Sequence, residues 1–199
     1  MEIIDLIKKR HSVRKYIDRP IPEEAINKII EAGIWGPSIP GFLGIQPWKF
    51  IVISNKDKIC KVANIVLEKS RISKAGINFL LNSAYKTISG ASALILIYNS
   101  GGFESFAHKY KEVYNNVKEI IPKAELSAIS AAIQNMVIVA ESLSIGSCWL
   151  DTPTFCMKEI NMALDIKNEL VAILSLGYPA EKSRRASRKL ISETVRYIK

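Results

Sequence analysis

Two nearly uninterrupted apolar runs, Ala93-Leu94-Ile95-Leu96-Ile97-Tyr98 and Leu170-Val171-Ala172-Ile173-Leu174-Ser175-Leu176, limit the fold more than any other feature of the sequence. A strand with one wet face alternates apolar and polar residues, whereas a run without alternation is buried on both faces. Both runs therefore predict central strands of a sheet, with helices covering each side. A third strand is predicted at Trp48-Lys49-Phe50-Ile51-Val52-Ile53, which is β-branched and aromatic. Ser147 to Leu150 leads into a turn at Asp151-Thr152-Pro153.

Helical periodicity fills the intervals. Glu2 to Lys9 places Ile3, Ile4, Leu6 and Ile7 on one face, and Pro22-Glu23-Glu24 opens a helix that must end before Gly36-Pro37. Residues 56 to 85 are helical in period but polar. Phe103 to Ile121 is a charged helical excursion ending near Pro122, and Met157 to Leu164 is a short helix. The longest helix is expected over 124 to 144, where Leu126, Ile129, Ala132, Ile133, Met136, Val137, Val139, Ala140 and Leu143 cover most of the circumference. Such a helix is central or is shared with a partner subunit. This order predicts the α+β class, a mixed central sheet surrounded by helices. The 199 residues suit one domain, with an extended C-terminal arm over about 179–199 that suggests a dimer.

Several classes are excluded on composition. Cys60, Cys148 and Cys156 form no CxxC pair, and His11 and His108 are the only histidines, so neither a disulfide framework nor a metal site is expected. The apolar stretch from Ala128 to Ile145 is interrupted by Ser130, Gln134, Asn135, Glu141, Ser142 and Ser144, and reads as a buried helix rather than a membrane span. The acidic start, Met1-Glu2-Ile3-Ile4-Asp5, is unlike a secretion signal, so a cytoplasmic protein is expected.

The net charge of +9 is unevenly placed. Residues 1 to 19 carry six cations against three acids, and residues 181 to 199 carry seven against two, so the two termini hold 8 of the 9 excess charges. Either both ends build an anion site or they are two solvated basic tails. Arg10-His11-Ser12-Val13-Arg14 sharpens the first option. In an extended segment Arg10, Ser12 and Arg14 project to the same side, offering two planar guanidinium forks and a hydroxyl suited to phosphate. Taken alone, the string is weak, since such strings in basic segments are more often ordinary surface or phosphorylation-like sequence.

A set of strings in fixed order supplies the context. Arg10-His11-Ser12-Val13-Arg14-Lys15-Tyr16, Ala32-Gly33-Ile34-Trp35-Gly36-Pro37-Ser38 and Gln46-Pro47-Trp48-Lys49-Phe50-Ile51-Val52 come first. Gln134-Asn135, Ala140-Glu141-Ser142-Leu143, Ile145-Gly146-Ser147-Cys148-Trp149 and Leu176-Gly177-Tyr178-Pro179-Ala180-Glu181-Lys182 follow. Together they resemble the nitroreductase family of FMN-dependent NAD(P)H oxidoreductases over nearly the whole chain. The resemblance implies an intertwined homodimer with two FMN sites, each built by both chains.

In that resemblance Arg10, Ser12 and Arg188 hold the FMN phosphate and His11 supports their loop. Arg14 reaches the flavin pyrimidine edge, where a cation favours the reduced ring. Pro37 and Ser38 offer backbone contacts, Gln46 a side-chain amide, and the turn at Leu150-Asp151-Thr152 a backbone N–H toward N5. No protein side chain is expected to act as nucleophile or general base. Hydride passes from NADH or NADPH through flavin N5 to a small acceptor such as a nitroaromatic or quinone. Cys148 is expected as a small buried thiol, Arg184, Arg185 and Lys189 as solvent-facing, and Trp35, Trp48 and Trp149 as packing residues.

The sequence departs from the family at one loop. Family members read Pro-Ser-x-x-Asn-x-Gln-Pro-Trp, whereas Ile39 to Ile45 make the spacing here about three residues longer, with Gly44 where the Asn would fall. Phe42 and Leu43 on that loop either line the substrate face or pack on their own subunit, and the 103–121 excursion either covers the flavin or packs as body. Two other readings follow from the same residues. One keeps the fold but performs dehalogenation or oxygen-dependent cleavage; the other is a polyanion or nucleic-acid binder, which lacks any recognisable nucleic-acid module.

Overall fold

The structure is a computed structural model and describes residues 2–39, 43–181 and 186–198. Its elements run α1 (Ile3–Lys9), α2 (Glu23–Ile34), β1 (Trp48–Ile53), α3 (Lys56–Ile72), α4 (Ala75–Ser89), β2 (Ala93–Asn99), α5 (Gly102–His108), α6 (Lys111–Val117) and α7 (Ile121–Ser142). β3 (Gly146–Leu150), a 3₁₀ turn at Thr152–Cys156, α8 (Met157–Leu164), β4 (Glu169–Gly177) and α9 (Ile191–Thr194) complete them.

The strands form one sheet in the order β1-β2-β4-β3, so the two apolar runs are the two central strands. Adjacent strands pair antiparallel, and the sheet is mixed only through a parallel bridge between Ser12 and Ser147. Side-chain alternation sorts β2 between two cores. Ala93, Ile95 and Ile97 face α2 and α7, while Leu94, Leu96 and Tyr98 face α3, α4 and α8. In β4 the register slips opposite Ile97 and Tyr98, so that Ala172 pairs with Ile97 and Leu170 with Tyr98. The extra residue, Val171, lets Leu170 and Ile173 share a face despite their odd spacing.

α7 is the long helix, and it begins earlier than its apolar period predicts. Pro122 does not end the preceding excursion; it occupies the first turn of α7, where a missing N–H costs nothing. Ile129, Ile133 and Met136 are fully buried under the sheet, each worth roughly 2 kcal/mol of transfer free energy. Leu126, expected on the buried face, is instead half exposed. The buried polar residue near it is Glu125. Its Oε1 accepts the backbone N–H groups of Phe103 (2.8 Å) and Glu104 (3.3 Å), and its Oε2 accepts the Asn99 amide (2.9 Å). This carboxylate caps α5 from another helix, and with α6 the cap anchors the charged excursion to the body.

Candidate functional site

The site grows from the end of α1. Lys8 and Lys9 sit in its last turn, where cations suit the helix dipole, and at Arg10 the backbone turns extended (φ −57°, ψ 131°). The next residues run beside the edge of the sheet. Val13 donates its N–H to the Ser147 carbonyl (2.9 Å), Ile17 to that of Tyr178 (2.9 Å), and Ala180 to that of Lys15 (3.0 Å). Alternation then divides the strip: Val13 is buried against the sheet edge, and Ser12 and Arg14 face outward on either side of it.

Two glycines permit this close approach. A Cβ on Gly146 would stand 2.8 Å from the Val13 side chain, and one on Gly177 would stand 2.6 Å from the Tyr16 ring. With the ring seated there, the Tyr16 hydroxyl donates to the Val13 carbonyl (2.6 Å) and lies 2.9 Å from Ser175 Oγ. Ser175 Oγ in turn reaches the Cys148 carbonyl at 3.3 Å. Burial holds the Tyr16 phenol well above its usual ionisation range, so it remains a neutral donor.

The outward face of the strip lines a cleft of about 540 Å³. α1 contributes Ile7 and Lys8, the strip contributes Arg10, His11, Ser12 and Arg14, α7 contributes Gln134, and the C-terminal arm contributes Ala186 and Arg188. Both basic ends of the chain meet here, and none of these lining residues is acidic. The His11 Nδ1 donates to the Lys9 carbonyl (3.1 Å), which fixes the loop and leaves Nε2 as the other ring nitrogen. The Arg188 guanidinium bonds the carbonyls of Ala186 and Ser187, both at 3.2 Å. Four cations, a hydroxyl and an amide around a concave surface are the donor set for a phosphorylated ligand. Lys8 and Gln134 are additions to the expected residues. Lys8 could have been found from its place on the last turn of an amphipathic helix ending at the strip; Gln134 belongs to one of the strings that carry the resemblance, but nothing local assigned it to this site.

Five of the expected residues do not line this cleft. Pro37, exposed, and Ser38, half-buried, follow α2, whose end is clamped to α7 by the Asn135 amide donating to the Ala32 carbonyl (3.1 Å). Gln46 is exposed just before β1. Leu150 ends β3, and Asp151 opens the turn beyond it, where its carboxylate accepts the Trp149 indole N–H at 2.6 Å and its carbonyl accepts the Thr154 hydroxyl at 2.7 Å. Pro40, Gly41 and Phe42 of the lengthened loop, and Arg184 and Arg185, lie outside the described residues.

Cys148 is buried beneath the strip, as expected. Burial pushes its thiol up, against the opposing pull of Arg14, the Ser12 hydroxyl and Arg10, so it is a protonated packing group. Of the tryptophans, Trp48 is buried and Trp149 half-buried, but Trp35, expected to pack, is 78% exposed. Ile3, Ile4 and Ile7 of α1 and Leu190, Ile191, Val195, Tyr197 and Ile198 of the arm are likewise uncovered, although the sequence resumes an apolar period at Ile191. Among the described residues no His, Cys, Asp and Glu group is arranged to hold a metal ion, and no helix is long and apolar enough to cross a membrane.

Comparison with known proteins identifies the family and the fold. A family model described as the nitroreductase family matches residues 7–178. A provisionally assigned NADH dehydrogenase/NAD(P)H nitroreductase of Methanothermobacter thermautotrophicus is 28% identical over 187 residues, covering 91% of this chain and 79% of that protein. A BluB-like flavoprotein from Clostridium difficile superposes with a TM-score of 0.75 at 28% identity, over 100% of both chains. A provisionally assigned nitroreductase from Desulfovibrio desulfuricans, solved in complex with FMN, superposes with a TM-score of 0.70 at 26% identity, over 100% of this chain and 98% of that one.

Proposed function

The chain belongs to the nitroreductase family, and from that premise we propose that it is an FMN-dependent oxidoreductase that takes hydride from NADH or NADPH and delivers it to a small acceptor such as a nitroaromatic or a quinone. The observation that carries this reading is the cleft in which Arg10, Ser12 and Arg14 from one end of the chain face Arg188 from the other. Its residues fit a flavin mononucleotide: the cationic lining suits a phosphate dianion, and no lining carboxylate opposes it. Bound FMN supplies a ring that accepts hydride at N5 and passes it on.

The chain's own groups bind and orient. Arg10, Ser12 and Arg188 hold the phosphate, with Lys8 adding charge, and His11 keeps the loop in place. Arg14 lies at the pyrimidine edge, where negative charge gathers on reduction, and so favours the reduced form. Pro37, Ser38, Gln46, Leu150 and Asp151 complete the site across a subunit boundary. The uncovered apolar residues of α1, of the arm and at Trp35 supply the surface on which a second copy seats.

The test is an anaerobic visible spectrum of the purified protein supplied with FMN, before and after NADH or NADPH. A yellow protein that bleaches is the expected result. A yellow protein that keeps its colour moves the reading to another electron donor or to dehalogenation or cleavage chemistry, and a chain that takes up no FMN overturns it.

A further inference from the structure

We infer that Tyr16 is a positioning residue of the cofactor cleft, its buried hydroxyl fixing the backbone between Ser12 and Arg14 so that both side chains stay directed at the ligand. The inference rests on the reading of the cleft as an FMN site. Residue 13 is the pivot. Its side chain is packed against Gly146, its N–H is held by the Ser147 carbonyl at 2.9 Å, and its carbonyl is held by the Tyr16 hydroxyl at 2.6 Å. Among the described residues that last bond is the one that holds the plane of the peptide leading to Arg14, since β3 bridges the strip at Ser12 rather than at residue 14.

The phenol is itself positioned. Its ring lies where a Cβ on Gly177 would stand, and the fully buried Ser175 holds its hydroxyl at 2.9 Å. Both anchors belong to β4, a central strand, so the strip's geometry is referred to the most rigid part of the sheet. Removing the oxygen leaves the Val13 carbonyl without its donor and frees the Arg14 peptide to rotate, while the ring continues to fill its place.

Tyr16→Phe tests this, with Tyr98→Phe as the control because Tyr98 is a fully buried phenol of the same core whose hydroxyl has no partner among the described residues. In the ligand-free full chain, hydrogen exchange at Val13 and Ile17 should accelerate about fivefold in Tyr16→Phe, the effect of losing one intramolecular hydrogen bond. Exchange at the wild-type rate overturns the tether. In FMN titrations followed by quenching of flavin fluorescence, the dissociation constant should rise about fivefold in Tyr16→Phe and stay unchanged in Tyr98→Phe. At saturation the midpoint potential of Tyr16→Phe should fall, which a purely structural tyrosine would not cause. Wild-type affinity and potential in Tyr16→Phe, or equal losses in Tyr98→Phe, overturn the positioning role. If the wild-type chain takes up no FMN, the cofactor reading fails while the exchange result still decides the tether. Should Tyr16→Phe fail to fold, Ser175→Ala removes one support of the phenol and should move the same readouts in the same direction by a smaller factor.

Discussion

Two regions of the same core, its rim at the N-terminal strip and its interior under α3, α4 and α8, treat buried oxygen differently. At the edge where the N-terminal strip crosses β3 and β4, the Tyr16 hydroxyl is bonded to Val13 and to Ser175. In the interior of that core Tyr98 is fully buried, and among the described residues its hydroxyl has no partner. One phenol serves geometry, and the other fills volume at the cost of an orphaned donor. A satisfied polar network beside a cleft marks where the fold spends precision, and a dry core tolerates a stray hydroxyl where nothing must be aimed.

The largest expected effect would break the strip's side of this contrast. Arg10→Ala with Arg188→Ala removes two charge-assisted contacts and should weaken FMN about a hundredfold, leaving the purified protein colourless. Normal flavin occupancy in that double variant would refute the phosphate assignment. Next is Glu125→Ala, on the α7 face but away from the cleft. Three N–H donors lose a buried carboxylate, so denaturant unfolding should show about 3 kcal/mol lost. FMN affinity of the folded variant should hold, and a parallel loss of affinity would merge the two regions.

Gly177→Ala pushes a methyl to 2.6 Å from the Tyr16 ring and should cost about 2 kcal/mol of stability. It should also weaken FMN, because the ring carries the tether; a stability loss without any loss of affinity would separate the ring from the cleft. The smallest change belongs to the orphan. Tyr98→Phe should gain about 1 kcal/mol at neutral pH, by deleting an unsatisfied group. Its alkaline signature has a definite sign. Burial pushes the phenol from 10.0 up to about 12, so below 10 both folded and unfolded chains are protonated and stability is level. Above 10 the unfolded chain releases its proton first, and stability falls by roughly 1.4 kcal/mol per pH unit until about 12. Tyr98→Phe should lessen that fall, leaving the part due to Tyr16, and an unaltered slope would contradict the burial.

Much of the architecture was legible because it depends on local pattern. The central strands, β1 and α8 lie where apolar runs and helical period place them, since a strand buried on both faces leaves no polar alternation to misread. Reading failed where a residue's partner is distant in sequence. Pro122 looks like a terminator until α7 is seen to start on it, and Leu126 belongs to the apolar period but not to the covered arc. The slip at Val171 depends on pairing with β2 and has no signature in β4 itself. Trp35, expected as a packing residue, is exposed, because its place at the end of α2 turns it away from the α2–α7 contact.

The candidate site divides the same way. Arg10, Ser12 and Arg14 on one side of an extended strip follow from alternation, a property of the backbone that any extended segment carries. The strings in order identify the family, and the two basic ends point to an anion. That Arg188 comes round to the same cleft, that α7 adds Gln134, and that a phenol and two glycines fix the strip against the sheet are decided only by the tertiary structure. The sequence by itself determines which residues can bind, because charge and periodicity are local; which of them meet is settled by long-range packing, where a hydrogen bond of 2.6 Å or a missing Cβ outweighs any local preference.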